Sequence, residues 1–115
     1  MANTFKVVTK AGVTSADVIY TVAGSTTTVI LGLILGNTTS SQVTSTVTLG
    51  TDTGSRAGAN NENNQDVELI TSAPIPSGSS LELLAGNKVI METTDTLSVT
   101  ATGATDVCLS IMEIT

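Results

Sequence analysis

The pattern of hydrophobic and polar residues changes character within one stretch, residues 26–49. Its first part, Val29–Leu35 (VILGLIL), is the most apolar run of the chain and is followed by Gly36-Asn37. Such a run indicates a strand covered on both faces. Over residues 42–49 apolar and polar residues alternate, which indicates a strand with one face in water. We therefore expect these two strands to pair through a turn at Gly36-Asn37, in the middle of an antiparallel sandwich.

Shorter segments of the same kind fill the rest of the chain. Turn residues recur about every 8 to 12 residues, a spacing typical of sandwiches and jelly rolls. The sequence thus predicts an all-β fold, a single antiparallel β-sandwich of about eight strands with jelly-roll or immunoglobulin-like topology and almost no helix. The remaining strands are expected at residues 5–9, 17–22, 66–70, 81–85, 88–92, 96–102 and 106–114.

Alternation also assigns side chains to faces. It predicts that Val18, Tyr20 and Val22 point inward, and likewise Leu97, Val99 and Ala101. Gly86-Asn87 is compatible with a two-residue hairpin between residues 81–85 and 88–92. Segment 73–76, with prolines at 74 and 76, is expected at a sheet edge or in a connection, because proline cannot donate to a ladder.

The last strand repeats the behaviour of the first apolar run. Val107, Leu109 and Ile111 share one face, and the opposite face also carries apolar residues. Two such strands in a small sandwich need a second cover, which is either a loop of the chain or another subunit. The glycines at 32 and 36 favour the second alternative, because they let another backbone approach closely. The candidate subunit interface is Ile30, Ile34, Met112 and Ile114.

The length of 115 residues accommodates one domain, residues 1–115, with a long polar loop at residues 50–65. Hydrophobic residues make up 40% of the chain, but Phe5 and Tyr20 are its only aromatic residues. A small aliphatic core of this kind would gain from burial between subunits. The loop, GTDTGSRAGANNENNQ, has no large apolar residue. It is therefore either solvated or ordered by docking to another molecule.

Charge and targeting signals narrow the classes of partner. The formal net charge is −6, and the four basic residues are scattered, which argues against nucleic-acid binding. The first residues have no apolar core of a signal peptide, and Val29–Leu35 is far shorter than the about 20 residues that cross a bilayer. We expect synthesis in a cytoplasm and no membrane contact. Cys108 has no internal disulfide partner and is expected to be a buried thiol.

No arrangement of residues points to catalysis. The chain has no His, and it has neither a G-x-S-x-G nor an S-x-x-K motif. We expect a protein that is not an enzyme and has no cofactor. Asp and Asn side chains between positions 52 and 66 offer oxygen ligands of the type that calcium prefers, but no EF-hand spacing occurs, so no metal site is predicted. Asn37-Thr38-Thr39 matches an N-glycosylation acceptor, which has no meaning without secretion.

Three longer segments resemble one family. They are residues 1–22, residues 26–49 and residues 73–114, and their most specific parts are PIPSGSSLELL, GNKVIME and SIMEI. Together they are similar to small structural proteins in the virions of tailed phages, especially those that infect marine cyanobacteria. The resemblance covers most of the chain except the loop at 50–65. It implies a β-sandwich that assembles onto a particle without enzymatic activity, and it carries over no binding residue.

These observations lead to three hypotheses. The first is a capsid decoration or cement protein, located in the virion, that binds the major capsid protein or other virion proteins as a homo-oligomer, with a trimer favoured. The second is a tail, neck or fibre-associated component. The third is a carbohydrate-binding module, which the near absence of aromatic residues disfavours. Docking is expected through residues 2–10 and the polar loop, with the candidate residues Phe5, Lys6, Val7, Arg56, Asn60 and Asn61.

Overall fold

The computed structural model describes residues 2–51, 65–84 and 88–115. Within these ranges the chain forms strands and connections without a helix, and hence without a helix long and apolar enough to span a membrane. The described strands are β1 (Asn3–Val13), β2 (Asp17–Thr21), β3 (Thr27–Asn37), β4 (Val43–Thr51), β5 (Gln65–Ile75), β6 (Ser80–Leu83), β7 (Val89–Met91), β8 (Thr96–Ala101) and β9 (Thr105–Ile114).

The strands form two antiparallel sheets. Sheet A has the order β1-β9-β3-β6, and β7 also pairs with β3; sheet B has the order β2-β8-β4-β5. β6 pairs with the second half of β3 and β7 with the first half, so both occupy one strand position. With β6 and β7 counted as one strand, the order is 1-8-3-6 over 2-7-4-5, the connectivity of a jelly roll. The β-sandwich prediction is confirmed, and of the two topologies the jelly roll is the one observed.

Two predicted pairings are wrong. β3 and β4 do not pair, because the chain crosses from sheet A to sheet B after Asn37. Segments 81–85 and 88–92 do not form a hairpin: β6 and β7 each run antiparallel to β3 and therefore lie in line with each other. The proposed turn residues Gly86 and Asn87 lie outside the described residues. The expectation for Pro74 is confirmed, since β5 is an edge strand of sheet B.

The core lies between the two sheets and is aliphatic. Alternation predicted the inward residues of three strands correctly: Val43, Ser45 and Val47 on β4, Leu97, Val99 and Ala101 on β8, and Val107, Leu109 and Ile111 on β9 are all buried. Inward residues of β3, β5 and β7 complete this core, among them Leu33, Leu35, Ile75 and Met91. Full burial of such a side chain contributes roughly 1.5–3 kcal/mol, so the two sheets are held together mainly by this layer.

A β-bulge at Leu31 changes which residues of β3 face inward. Ile30 pairs with Ile111 and Gly32 with Ser110, which are consecutive on β9, so Leu31 is an extra residue without a partner. Ile30 is inward before the bulge, and Leu33 and Leu35 are inward after it. Regular alternation would place Ile30 and Ile34, both predicted at a subunit interface, on one face of β3. They lie on opposite faces, because one extra residue reverses the alternation.

The same effect occurs in β2. The register shifts between Val18 and Tyr20, which leaves Ile19 as the extra residue. Val22 is buried as predicted and Tyr20 is half-buried, but Val18 is 56% exposed. The inward placement predicted for Val18 is wrong for this reason.

Asn37 closes β3 at the point where the chain leaves sheet A. Its side chain is buried, and its amide nitrogen donates to the carbonyl oxygens of Ser41 (2.8 Å) and Ile75 (2.9 Å). Its side-chain oxygen accepts from the backbone nitrogen and the hydroxyl of Thr39. The acceptor nitrogen of the N-glycosylation pattern is thus committed to internal hydrogen bonds, and Asn37 has a structural role.

Candidate interaction surface

The outer surface of sheet A carries apolar side chains in register across four strands. Phe5 on β1 pairs with Met112 on β9, Met112 pairs with Val29 on β3, and Val29 pairs with Ile90 on β7. These four side chains form a cross-strand row, which we call the Phe5 row. The row has one member at each strand position of sheet A and therefore extends across the whole sheet, in which neighbouring strands lie about 4.8 Å apart.

Two further rows follow along the strands. Next to the Phe5 row lie Val7, Ser110 and Gly32, which we call the Ser110 row. Beyond it lies the Cys108 row, formed by Thr9, Cys108, Ile34 and Glu82. We call these three rows together the outer apolar face. Glu82, at its margin, is the one charged residue among the members of these rows.

The exposed fractions show that nothing in the described chain covers this face. Phe5 is 72% exposed, Val7 and Ile90 are each 61% exposed, and Ile34 is 44% exposed. From these fractions the exposed apolar area is on the order of 500 Å², near the upper end of the largest patch on a typical monomeric protein. A surface of this size and composition is typical of a protein contact site.

The face has a depression at the end opposite the Phe5 row. Its volume is about 340 Å³, and it is lined by Thr9, Ala11, Ile34, Gly36, Asp106, Val107 and Cys108. Small residues on β1 and β3 leave this space open beside Ile34. Cys108, predicted to be a buried thiol, is half-buried, and its side chain belongs to the face that points away from the core.

The outer surface of sheet B differs in composition. Apart from Gly50, its residues on β4 and β8 carry hydroxyl groups: Thr44, Thr46, Thr48, Thr96, Ser98 and Thr100. Threonine suits a strand whose outer face is in water, because it has high β-propensity and a polar group. The apolar outer surface is thus a property of sheet A and not of the fold as a whole.

The structure brings together residues that the sequence assigned to two different sites. Phe5 and Val7, predicted to dock onto a shell, lie on the same face as Ile34 and Met112, predicted to form a subunit interface. Ile114, two residues beyond Met112 on the same side of β9, adjoins the Phe5 row. Ile90 also belongs to the face but was not singled out, because its segment was assigned to a hairpin. The available signal was the unbroken apolar triplet Val89-Ile90-Met91, in which alternation must turn at least one side chain away from the core.

Other predicted site residues are placed elsewhere. Ile30 cannot contribute to a subunit interface, because its side chain is fully buried between the sheets. Lys6 lies on the opposite side of β1 from Phe5 and Val7, and its ammonium group pairs with the Glu113 carboxylate at 2.7 Å. Arg56, Asn60 and Asn61 lie outside the described residues.

A polar cluster attaches β1 to the end of the sandwich. The Tyr20 hydroxyl of sheet B donates to Glu113 Oε2 at 2.5 Å, and it accepts from Thr28 Oγ1 at 2.8 Å because its single proton is already used. Glu113 also holds Lys6, so Tyr20, Glu113 and Lys6 connect sheet B to both β9 and β1. This connection supports the edge strand that presents Phe5 and Val7.

The cluster shifts the pKa values of its two acids in opposite directions. The hydrogen bonds from Lys6 and then from Tyr20 lower the pKa of Glu113 from its usual 4.5. Burial, and then the hydrogen bond to Glu113, raise the pKa of Tyr20 from 10.0 to about 12. Ionised Glu113 and neutral Tyr20 are therefore the forms that the folded state favours.

Glu113→Gln should reduce stability in a pH-dependent way. Because the folded state favours the carboxylate, Glu113 contributes stability above the unfolded pKa of 4.5 and loses it as the pH falls through the lowered pKa. We expect the variant to lose about 1–2 kcal/mol at pH 7, since Lys6 is partly solvated, and much less at pH 3. Urea denaturation at both pH values measures this. The exposed Glu82→Gln is the control, and an equal loss at both pH values would contradict the assignment.

The described residues contain no group of three or more His, Cys, Asp or Glu side chains that could hold a metal ion. Asp66, one of the oxygen ligands considered in the sequence, is an exposed residue of β5. Among the described residues, the feature that suits an interaction is the outer apolar face.

Comparisons with known proteins show no family for this chain and one distant structural similarity. No protein-family model and no curated protein matches this chain. A solved structure described as "Bacillus endospore appendages form a novel family of disulfide-linked pili" is similar over 96% of this chain and 85% of that chain, with 15% sequence identity and a TM-score of 0.42. A similarity at this level carries no argument about what the chain does.

Proposed function

We propose that this protein is a non-enzymatic structural component of a phage virion that decorates the outer surface of the capsid shell as a homo-oligomer. The observation that carries the proposal is the outer apolar face, where four large hydrophobic side chains are between 44% and 72% exposed. A cement protein needs contact surface and no reactive group. By burying area in the assembled state only, it stabilises that state through linkage.

The fold and the sequence add support. Jelly-roll domains recur in viral capsids, although they also occur in lectins, so the fold alone does not decide the function. The resemblance of the PIPSGSSLELL and SIMEI segments to small virion proteins of tailed phages favours the capsid over a lectin-like role. The outer apolar face has Phe5 as its one aromatic side chain among the described residues, which is a poor platform for stacking sugars.

The structure changes one expectation about docking. Residues 2–10 are expected to dock, but residues 3–10 pair with β9 along their whole length and are an integral part of sheet A. Deleting them would expose the edge of β9, so a truncation tests folding together with docking. The intact chain is therefore the better reagent for testing the proposed function.

The test is binding to undecorated, emptied heads of the phage that encodes the chain. We expect the purified protein to sediment with heads in many copies per particle and to raise the temperature at which the shells disrupt. Heads that already carry the protein are the control, since their sites are filled. Cryo-electron microscopy of the same sample distinguishes the alternatives: density repeated over the shell supports decoration. Density confined to a neck or tail, or no binding at all, would contradict it.

A further inference from the structure

The two ends of the outer apolar face have complementary shapes, which the sequence does not reveal. The Ser110 row divides it into two parts of opposite shape. On one side lies the Phe5 row, whose central side chain Met112 is flanked by Phe5 and Val29. On the other side lies the depression of about 340 Å³ beside Ile34 and Cys108. The rows are about 6.8 Å apart, because each is two residues from the next along the strands.

Consider two copies that meet face to face about a two-fold axis along the Ser110 row. Such an axis reverses the strand direction, so the Phe5 row of one copy lies over the Cys108 row of the other. Phe5, which is 72% exposed, then lies opposite the depression near Thr9 and Ala11 of the second copy, and the reverse contact forms equally. A surface that fits its own copy in this way is what an isologous interface requires.

The residues on the axis permit this approach. Ser110 and Gly32 are small, and Gly32 has no heavy atom within 4 Å of the position that a Cβ would occupy. Two sheets packed face to face lie about 10 Å apart, and small side chains at the centre leave room for the larger rows on either side. Val7 completes the row with an aliphatic contact.

Charge limits where two copies of this chain can meet. The chain has a formal net charge of −6, so two copies repel each other over most of their surface. Among the described residues of the outer apolar face, the carboxylates are Glu82 at its margin and Asp106 at the far end of the depression. Two copies that meet here therefore bury no carboxylate at the centre of the contact, which would be costly without a partner.

The available area fits a moderately stable dimer. With both copies counted, the contact buries on the order of 1,000 Å² of apolar surface, which reaches the lower limit of specific interfaces. Affinity at this size depends on how well the central side chains fit, and a dissociation constant in the micromolar range is a reasonable expectation. The area alone would not sustain a permanent dimer at nanomolar concentration.

We propose that the outer apolar face binds a second copy of this chain, related by a two-fold axis that crosses the strands at the Ser110 row. This inference rests on the proposed function in one respect, that copies of the chain assemble with one another, and it names the surface that joins them. It replaces the trimer expected from the sequence with a dimer, because a self-complementary face closes after two copies.

Light scattering during size-exclusion chromatography, at about 1 and 100 µM, tests the proposal. At the higher concentration the wild-type protein should have twice the 11.6 kDa mass of one chain. Ser110→Arg places two cations at the axis, and Phe5→Ser removes the largest side chain of the contact. Each should weaken dimerisation at least about thirty-fold, as expected for a central residue of an interface. Both residues are exposed, so the melting temperature of the monomer should stay close to that of the wild type.

Matched controls are available on the other sheet. Thr100→Arg adds the same charge to the outer surface of sheet B, and Val18→Ser removes an apolar side chain that is 56% exposed. Both should remain dimers. A wild-type monomer at 100 µM, a trimer, or dimers of Ser110→Arg and Phe5→Ser as stable as wild type would each overturn the inference.

The head-binding experiment separates this inference from the proposed function. A protein that dimerises but does not bind phage heads would support the inference and contradict the proposed function. A chain that decorates heads but stays monomeric in solution at 100 µM would do the reverse.

Discussion

Deletion of Leu31 should leave the protein folded, whereas deletion of Leu33, two residues away, should remove most of its stability. Leu31 is the extra residue of the β3 bulge, and its neighbours Ile30 and Gly32 already pair with consecutive residues of β9. Without Leu31 the two halves of β3 join in regular alternation and every inward side chain keeps its place. We expect a cost of at most about 1 kcal/mol from the lost packing of one half-buried leucine.

The second deletion has a different consequence. When Leu33 is removed, the register of Ile34 and Leu35 is kept if the strand loses its bulge, but Gly32 then occupies the inward position of Leu33. Leu33 is 1% exposed, so this leaves a leucine-sized cavity in the core. Such a cavity costs about 3–5 kcal/mol, a large part of the 5–15 kcal/mol that is typical for a domain.

Urea denaturation followed by far-ultraviolet circular dichroism measures both variants. The two deletions are matched, because each removes one leucine from the same strand and shortens it by the same amount. They differ in whether the residue has a partner on β9, and in burial, since Leu31 is half-buried and Leu33 lies in the core. Equal destabilisation by the two deletions would contradict the bulge assignment, and so would a stable protein lacking Leu33.

This bulge marks the limit of what the sequence could predict about faces. Strands β4, β8 and β9 alternate regularly over their buried residues. Alternation therefore predicts their inward side chains correctly, among them Val47, Val99 and Leu109. In β2 and β3 one extra residue reverses the alternation, at Ile19 and Leu31. In β2 both neighbours of Ile19 are hydrophobic, so the local pattern does not reveal the bulge. In β3 Gly32 is a signal, because an isolated glycine in a strand indicates either a bulge or the close approach of another backbone; the sequence does not decide between them.

Sheet membership was a second limit. The apolar run and the alternating segment that follows were expected to pair because they are adjacent in sequence. In the jelly roll they belong to different sheets, and β3 instead pairs with β9, from Asn37 with Thr105 to Thr27 with Ile114, which are 68 to 87 positions apart in sequence. Alternation shows only whether a face of a strand is buried. The same inward side chains of β3 and β4 would be buried whether the two strands pair in one sheet or lie in different sheets.

The candidate surface was predicted in parts. Apolar residues on both faces of β3 and β9 showed that a second cover was needed, and Ile34, Met112 and Ile114 were correctly placed on the outer side. Phe5 and Val7 join them only because β1 pairs with β9, which is a long-range fact of topology. The depression could not be predicted, since it depends on small side chains from three strands meeting at one place.

Asn37→Ala should lower the free energy of unfolding more than any other substitution of a polar residue proposed for this protein. The Asn37 side chain takes part in four hydrogen bonds, to the carbonyl oxygens of Ser41 and Ile75 and to two donors of Thr39. Asn37 is 4% exposed and Ile75 is fully buried, so water cannot readily replace the lost donor at the Ile75 carbonyl. With a net cost of about 1 kcal/mol for each of the three bonds to Ser41 and Thr39, and about 1–3 kcal/mol for the buried Ile75 carbonyl left without this donor, we expect a loss of about 4–6 kcal/mol.

Asn37→Asp separates this hydrogen-bond network from simple packing. Aspartate has nearly the same shape and keeps the acceptor for Thr39, but its carboxylate faces the carbonyl oxygens of Ser41 and Ile75 without a proton to donate. The buried carboxylate should be destabilising at pH 7. Since burial and the two carbonyls favour the protonated acid, the pKa of this aspartate should be raised in the folded state, and stability relative to wild type should recover as the pH falls from 7 to 4.

Chemical denaturation at pH 7 and pH 4 tests both variants against wild type, with the exposed Ser40→Ala in the same connection as the control. We expect the alanine variant to lose the same free energy at both pH values and the aspartate variant to lose less at pH 4. If Asn37→Ala costs no more than Ser40→Ala, the junction between the sheets is held by the backbone alone. A full loss for Asn37→Asp at pH 4 would instead place the cost in the shape of the site, because a protonated carboxyl group can restore one of the two donated bonds.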